Sequence, residues 1–202
     1  MDAVDWNERY ADAELVWSAT PNQFVAGQLA ELTPGRAVDL AAGEGRNALW
    51  LSSLGWQVTA VDFAQAGLDK GRAVEPPSDH PIEWVCADVL NWAAPVPVDL
   101  AVIAYLQLPA AGRQRAVRRA WCALDIGGTF LCVAHDSSNL TEGTGGPQDP
   151  SVLMTADDLL ADLDGESFEV VRAERVSREV EPGHGGEPAR TAYDCLVHLV
   201  KR

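Results

Sequence analysis

Three aspartates, Asp39, Asp62 and Asp88, each close a short apolar run, and Ala41-Ala42-Gly43-Glu44-Gly45 follows the first of them. Glycine reaches positive φ without steric cost and leaves room for a ligand beside the backbone. A helix starting just after Gly45 would aim free N–H groups into the same space, which suits a carboxylate or a phosphate. Carboxylates at neighbouring strand ends can accept hydrogen bonds from ribose hydroxyls, an ammonium or an adenine amino group. On this reading Asp39 binds an ammonium or orients the glycine turn, Asp62 takes two ribose hydroxyls and Asp88 takes an adenine amine. Phe63 could cover the adenine face, although core packing accounts for it equally. The plainer alternative makes each acid a helix or turn cap.

Gly43-x-Gly45-x-x-Ala48 also satisfies a relaxed dinucleotide fingerprint, with Asp62 near the spacing of a ribose-binding acid. Three features oppose a dehydrogenase. Glu44 places negative charge where a pyrophosphate would lie. Lysine occurs only at 70 and 201, so no Tyr-x-x-x-Lys pair exists. A large second substrate domain is also missing.

The elements needed to position these residues alternate. Ala37–Leu40, Gln57–Asp62, Ile82–Ala87, Asp99–Tyr105 and Thr129–Ala134 read as strands. Asn47–Leu54, Gln65–Val74 and Gly112–Leu124 read as the helices between them. Such alternation implies mostly parallel pairing, with right-handed crossovers placing helices on both faces. Val4–Ser18 and Phe24–Leu32 form a leading helical segment, and Ala156–Leu163 a late helix. Phe168–Glu181 and Thr191–Val200 are joined by PGHGGEPAR, a link short enough to require an antiparallel hairpin.

The 202 residues suit one domain, able to bury roughly 70% of its extended surface. Thirty acidic against 15 basic residues, a formal charge of −15, oppose a nucleic-acid surface. Arg113, Arg115, Arg118 and Arg119 fit the solvated face of a helix. The cysteines at 86, 122, 132 and 195 have no metal-type spacing and read as free buried thiols, so no metal is expected. With no long apolar run and no secretory pattern at the start, a cytoplasmic protein without membrane contact is expected.

AVDLAAGEGRNALWLSSLGWQVTAVDF resembles motif I and the following strand of class I S-adenosylmethionine-dependent methyltransferases, and CADVLNW resembles their adenine-binding motif. GEGRN with WNERY upstream is similar to the tellurite-resistance methyltransferase group. The resemblance spans most of the chain, and Ala42 stands where many relatives have cysteine. It implies a Rossmann-like α/β fold, a seven-stranded mostly parallel sheet with an antiparallel last strand, over residues 1–202, with 1–36 as a lid segment. It also implies S-adenosylmethionine as cofactor, held by Asp39, Ala41, Gly43, Gly45, Asp62, Phe63, Asp88, Val89 and Tyr105.

Methyl transfer from a sulfonium needs the nucleophile in line behind the methyl carbon, so placement and desolvation supply much of the rate. A general base is needed only for an acceptor that holds its proton near neutrality. Tyr105, at the end of the fourth strand, is the expected floor of the methyl pocket, with plain packing as the alternative. Trp6, Arg9, Tyr10, Trp17 and Asn22 lie in the segment expected across the mouth. Arg46 can hold an anionic acceptor or pair with Glu14 or Glu44. His135 and His184 are the candidate bases; His80 and His198 read as an exposed and a packed histidine. Asn139–Pro150 would fold over the acceptor or form a simple turn. The leading acceptor is a small thiol or a selenium or tellurium anion. The alternative is an O- or N-methylated phenolic or heterocyclic compound using His135 or His184. A monomer or weak homodimer is expected.

Overall fold

The computed structural model describes residues 3–12, 20–180 and 190–202. Helices α1 (Ala3–Asp12) and α2 (Gln23–Leu29) precede β1 (Arg36–Leu40), α3 (Arg46–Ser53), β2 (Gln57–Asp62), α4 (Gln65–Val74), β3 (Glu83–Cys86) and β4 (Val98–Ala104). Then come α5 (Ala110–Ala123), β5 (Leu124–His135), the short α6 (Asn139–Glu142), α7 (Ala156–Asp162), β6 (Phe168–Val180) and β7 (Arg190–Lys201).

The strands form one sheet in the order β3-β2-β1-β4-β5-β7-β6. Pairing is parallel from β3 to β5, while β7 inserts antiparallel between β5 and β6. The expected terminal hairpin is therefore present, with its second strand placed inside the sheet. Ala37 and Val38 face opposite layers, as the two-residue period of a strand requires. Ala37, Val58, Leu100, Val133 and Leu196 pack with Val25 and Leu29 of α2 and Ala48 and Leu51 of α3. Val38, Ile103, Phe130 and Val197 pack with Val117 and Trp121 of α5 and Leu159 of α7.

Several departures from the sequence pattern have local causes. Strand β5 begins at Leu124 because that residue pairs with Val98 across a register shift. Gly127, at φ 82°, bends the strand instead of opening a loop. Arg115 lies on the exposed face of α5 as expected, whereas the other arginines of this helix also fasten it to its neighbours. Arg113 donates to both carboxylate oxygens of Asp162 on α7, at 2.7 and 3.3 Å. Arg118 and Arg119 donate to the carbonyls of Asp164 and Leu90. Cys132 and Cys195 are buried, but Cys86 and Cys122 are exposed, the first on an edge strand and the second on the outer face of α5. No helix among the described residues is long and apolar enough to cross a membrane.

Candidate active site

The carboxyl ends of β1, β2 and β4 meet the amino end of α3 at one edge of the sheet. Ala41, Gly43 and Gly45 turn the chain there with φ of 61°, 58° and 76°. Gly45 is the N-cap of α3 and has no side chain with which to cap it. Its first-turn N–H groups thus face the open edge. The turn rests directly on α4 and β3. A Cβ on Gly45 would lie 2.3 Å from the Trp84 ring, and one on Gly71 would meet the same ring at 2.4 Å and the Glu44 carbonyl at 2.7 Å. Gly67 and Gly71, four residues apart on one face of α4, are supports the sequence reading passed over. Their small-x-x-x-small spacing was the available signal.

Asp39 is buried beneath this turn, and neither carboxylate oxygen has a well-formed hydrogen bond. Burial raises its pKa from 3.8 to about 7, against the opposing pull of Arg46 and the Ala48 backbone. Asp62 is also buried, and both of its oxygens are engaged. Oδ2 accepts from the Gly43 N–H and Oδ1 from the Ala64 N–H, each at 2.8 Å. Burial raises the Asp62 pKa, and backbone donors from Ala64, Gly43 and Phe63 oppose that rise. Asp88 is exposed and accepts from the Leu90 N–H and the Asn91 amide, so it closes the turn after β3. Phe63 is half-buried beside it and Val89 is buried. Glu44 is buried and pairs with Lys70, 3.3 Å away.

A second cluster stands next to the turn on the α2/α3 side of the sheet. Tyr105 directly follows β4 at φ 61°, a strained position for a bulky side chain. Its hydroxyl donates to Asp194 Oδ2 at 2.8 Å and accepts from the Asn22 amide at 3.3 Å. Arg178 Nε donates to the same Asp194 oxygen at 2.7 Å. The His135 ring centroid lies 4.8 Å from that of Tyr105, and the Arg46 guanidinium carbon 6.0 Å from the Tyr105 ring. Burial, and then the Asp194 charge, push the Tyr105 pKa above the ordinary phenol range, so its proton stays on. Asn22 caps α2 by accepting from Phe24 and Val25, while its own N–H donates to Asn47 on α3 at 2.9 Å. The structure thus brings Asp39, Arg46, Tyr105 and His135 to one edge, and adds Asp194 and Arg178, which the sequence reading missed. No local signal marked either residue; Asp194 simply precedes the mostly apolar run Cys195–Val200. His184 and Trp17 lie outside the described residues.

Helix α1 docks over α4 beside the turn. Asn7 Oδ1 accepts from the Ala66 N–H at 2.9 Å, capping a helix that has no side-chain cap of its own. Tyr10 is buried, and Trp6 stacks on it at 5.5 Å with Arg9 above the Trp6 ring.

Residues 37–128 match the family described as a methyltransferase domain. That segment carries the glycine turn, all three aspartates and Tyr105. The segment is thus similar to methyltransferase domains, and the chain has the fold seen in S-adenosylmethionine-dependent methyltransferases. Among solved structures, the N-methyltransferase NodS from Bradyrhizobium japonicum WM9, in complex with S-adenosylhomocysteine, is similar at TM-score 0.74 and 14% identity, over 100% of this chain and 99% of its own. TehB from Haemophilus influenzae is similar at TM-score 0.73 and 17% identity, over 100% of this chain and 68% of its own. The glycopeptide N-methyltransferase MtfA, complexed with S-adenosylmethionine, is similar at TM-score 0.63 and 21% identity, over 89% of this chain and 92% of its own. No significant match occurs among curated proteins.

Replacing Asp62 with alanine is expected to cost both stability and affinity. The Gly43 and Ala64 N–H groups would lose a charged acceptor, which is worth about 2–3 kcal/mol in total. Denaturant unfolding checks the first effect, and calorimetry with S-adenosylhomocysteine should show at least a tenfold weakening. Unchanged stability would mean that solvent replaces the carboxylate at no cost. The carboxylate's two backbone donors are not visible in the sequence, so the stability effect follows from the structure alone.

Proposed function

We propose that this chain transfers a methyl group from S-adenosylmethionine to a small-molecule acceptor bound against Tyr105. The observation that carries the reading is Asp39: a buried carboxylate with two unpartnered oxygens directly under a left-handed glycine turn. A buried acid in that condition is costly, and an incoming ammonium relieves the cost. When bound, the sulfonium donor supplies an already activated methyl group. Asp39 and the first N–H groups of α3 hold the amino-acid end, and Asp62 orders the turn while offering its remaining lone pairs to the ribose. Asp88, Phe63 and Val89 line the adenine end. The chain acts as a single domain in which α1, with Tyr10 and Asn7 against α4, and α2 form the cover.

Arg46 and Tyr105 face the acceptor. A thiol, or a selenium or tellurium anion, needs only placement and exclusion of water there, and its thiolate-like charge suits Arg46. An O- or N-nucleophile needs a base as well. Calorimetry with S-adenosylhomocysteine, followed by labelled-methyl transfer to thiol, selenite, tellurite and phenolic compounds, tests the proposal. Saturable binding and label transfer to one class support it. Absence of heat at millimolar ligand removes it.

A further inference from the structure

We propose that His135 and Asp194 form a proton-accepting dyad on the acceptor side of the site, and that the acceptor is a protic N–H or O–H nucleophile. The inference rests on the methyl-transfer reading above and names its substrate class.

Asp194 is completely buried in a strand that is otherwise apolar at its centre. A buried carboxylate needs partners, and this one has them on one side only. Both the Tyr105 hydroxyl and Arg178 Nε reach Oδ2. Oδ1 is left facing His135 Nδ1 at 3.2 Å, close but not aligned as a hydrogen bond. Loose hydrogen bonds of this kind are usual for catalytic pairs before substrate arrives. The antiparallel register places the two residues directly opposite each other on β5 and β7.

The imidazole is also held in place. A Cβ on Gly146 would lie 3.0 Å from three of its ring atoms, so only glycine lets that backbone lie against the ring. Asn139 fixes the loop by donating to the Gly145 carbonyl at 2.9 Å and accepting from the Tyr193 N–H at 2.8 Å. With Nδ1 turned to Asp194, the opposite ring nitrogen, Nε2, is turned away from the carboxylate. The side chain keeps 13% of its surface exposed. Tyr105 cannot serve as the base, because its hydroxyl is spent as a donor to Asp194. The charged groups around the pair are Arg178 from β6, Arg46 from α3 and Asp136 beside His135. An anion that arrives ionised would need none of this apparatus.

In the step itself the acceptor lone pair bonds to the methyl carbon and the carbon–sulfur electron pair returns to sulfur. The acceptor proton passes to His135 Nε2. Asp194 acts as a positioning residue, fixing the tautomer that leaves this nitrogen with its lone pair.

NMR of protein carrying ¹⁵N-histidine, saturated with S-adenosylhomocysteine, reads that tautomer without any acceptor. His135 is expected to hold its proton on Nδ1, and Asp194→Asn to lose that preference. In parallel, His135→Asn should bind S-adenosylhomocysteine as wild type does, yet transfer methyl to phenol about 100-fold more slowly. The probe 2-nitro-5-thiobenzoate, already a thiolate, should show no such loss. A proton on Nε2, a doubly protonated ring, unreduced phenol transfer in His135→Asn, or wild-type transfer to the thiolate alone would each overturn the dyad. Failure of wild type to bind S-adenosylhomocysteine would instead defeat the methyl-transfer reading. If neither probe is methylated, the tautomer decides.

Discussion

Asp39→Asn should raise the melting temperature at pH 8.5 by about 5–10 °C while abolishing detectable S-adenosylhomocysteine binding. The two effects have one origin. In the folded protein the Asp39 pKa is about 7, against an ordinary 3.8. Below 3.8 both folded and unfolded chains hold the proton, and nothing is lost. Between 3.8 and about 7 the folded chain retains a proton that the unfolded chain has released, so stability falls as pH rises. Above 7 the loss is complete, at most about 4 kcal/mol for this shift. Asparagine cannot ionise, so the substitution should stabilise at pH 8.5 and do little at pH 4. An equal gain at both values would show that ionisation is not the cause. The ligand's ammonium should be what makes ionisation favourable, so binding near pH 7 should release a fraction of a proton. Binding heats measured in buffers of different ionisation enthalpy will show it.

Some of this was open to reading along the chain, and the reason differs from residue to residue. Strand β2 and helix α4 match their expected limits, Gln57–Asp62 and Gln65–Val74, because apolar patterning and the punctuation of Gly55 and Pro76 are local signals. Asp39 and Asp62 were legible for the same reason: each ends a strand, and strand ends in a parallel sheet define the ligand edge. Leu124 was placed in a helix because its strand character depends on Val98, far away in sequence. Asp194 was harder still. Its role arises only when β7 is inserted beside β5 and the register sets it opposite His135, a long-range event with no trace in local spacing. The two oxygens of Asp62 illustrate the limit of a motif. The acid was expected to face ribose, and the structure shows it first holding Gly43 and Ala64.

Gly45→Ala should destabilise the protein by about 3 kcal/mol and weaken S-adenosylhomocysteine binding at least 100-fold. Left-handed backbone alone does not account for this. Ala41 sits at φ 61° in the same turn, so the loop already tolerates one alanine in that conformation. What distinguishes Gly45 is the Trp84 ring, 2.3 Å from where the new methyl would stand. Trp84 has little freedom to retreat, because its indole N–H donates to Glu75 at 2.8 Å and Glu75 also accepts from the Ile82 N–H. The same ring is wedged against Gly71 of α4. The turn must therefore lift away from β3, carrying the first N–H groups of α3 out of line with the ligand. Trp84→Leu is the diagnostic partner. Alone it should cost stability through lost packing, but in that background Gly45→Ala should add only the backbone term, about 1–2 kcal/mol, and restore part of the affinity. Strictly additive effects in the double variant would mean that the indole does not set the position of the turn, and that its glycine is required for backbone reasons alone.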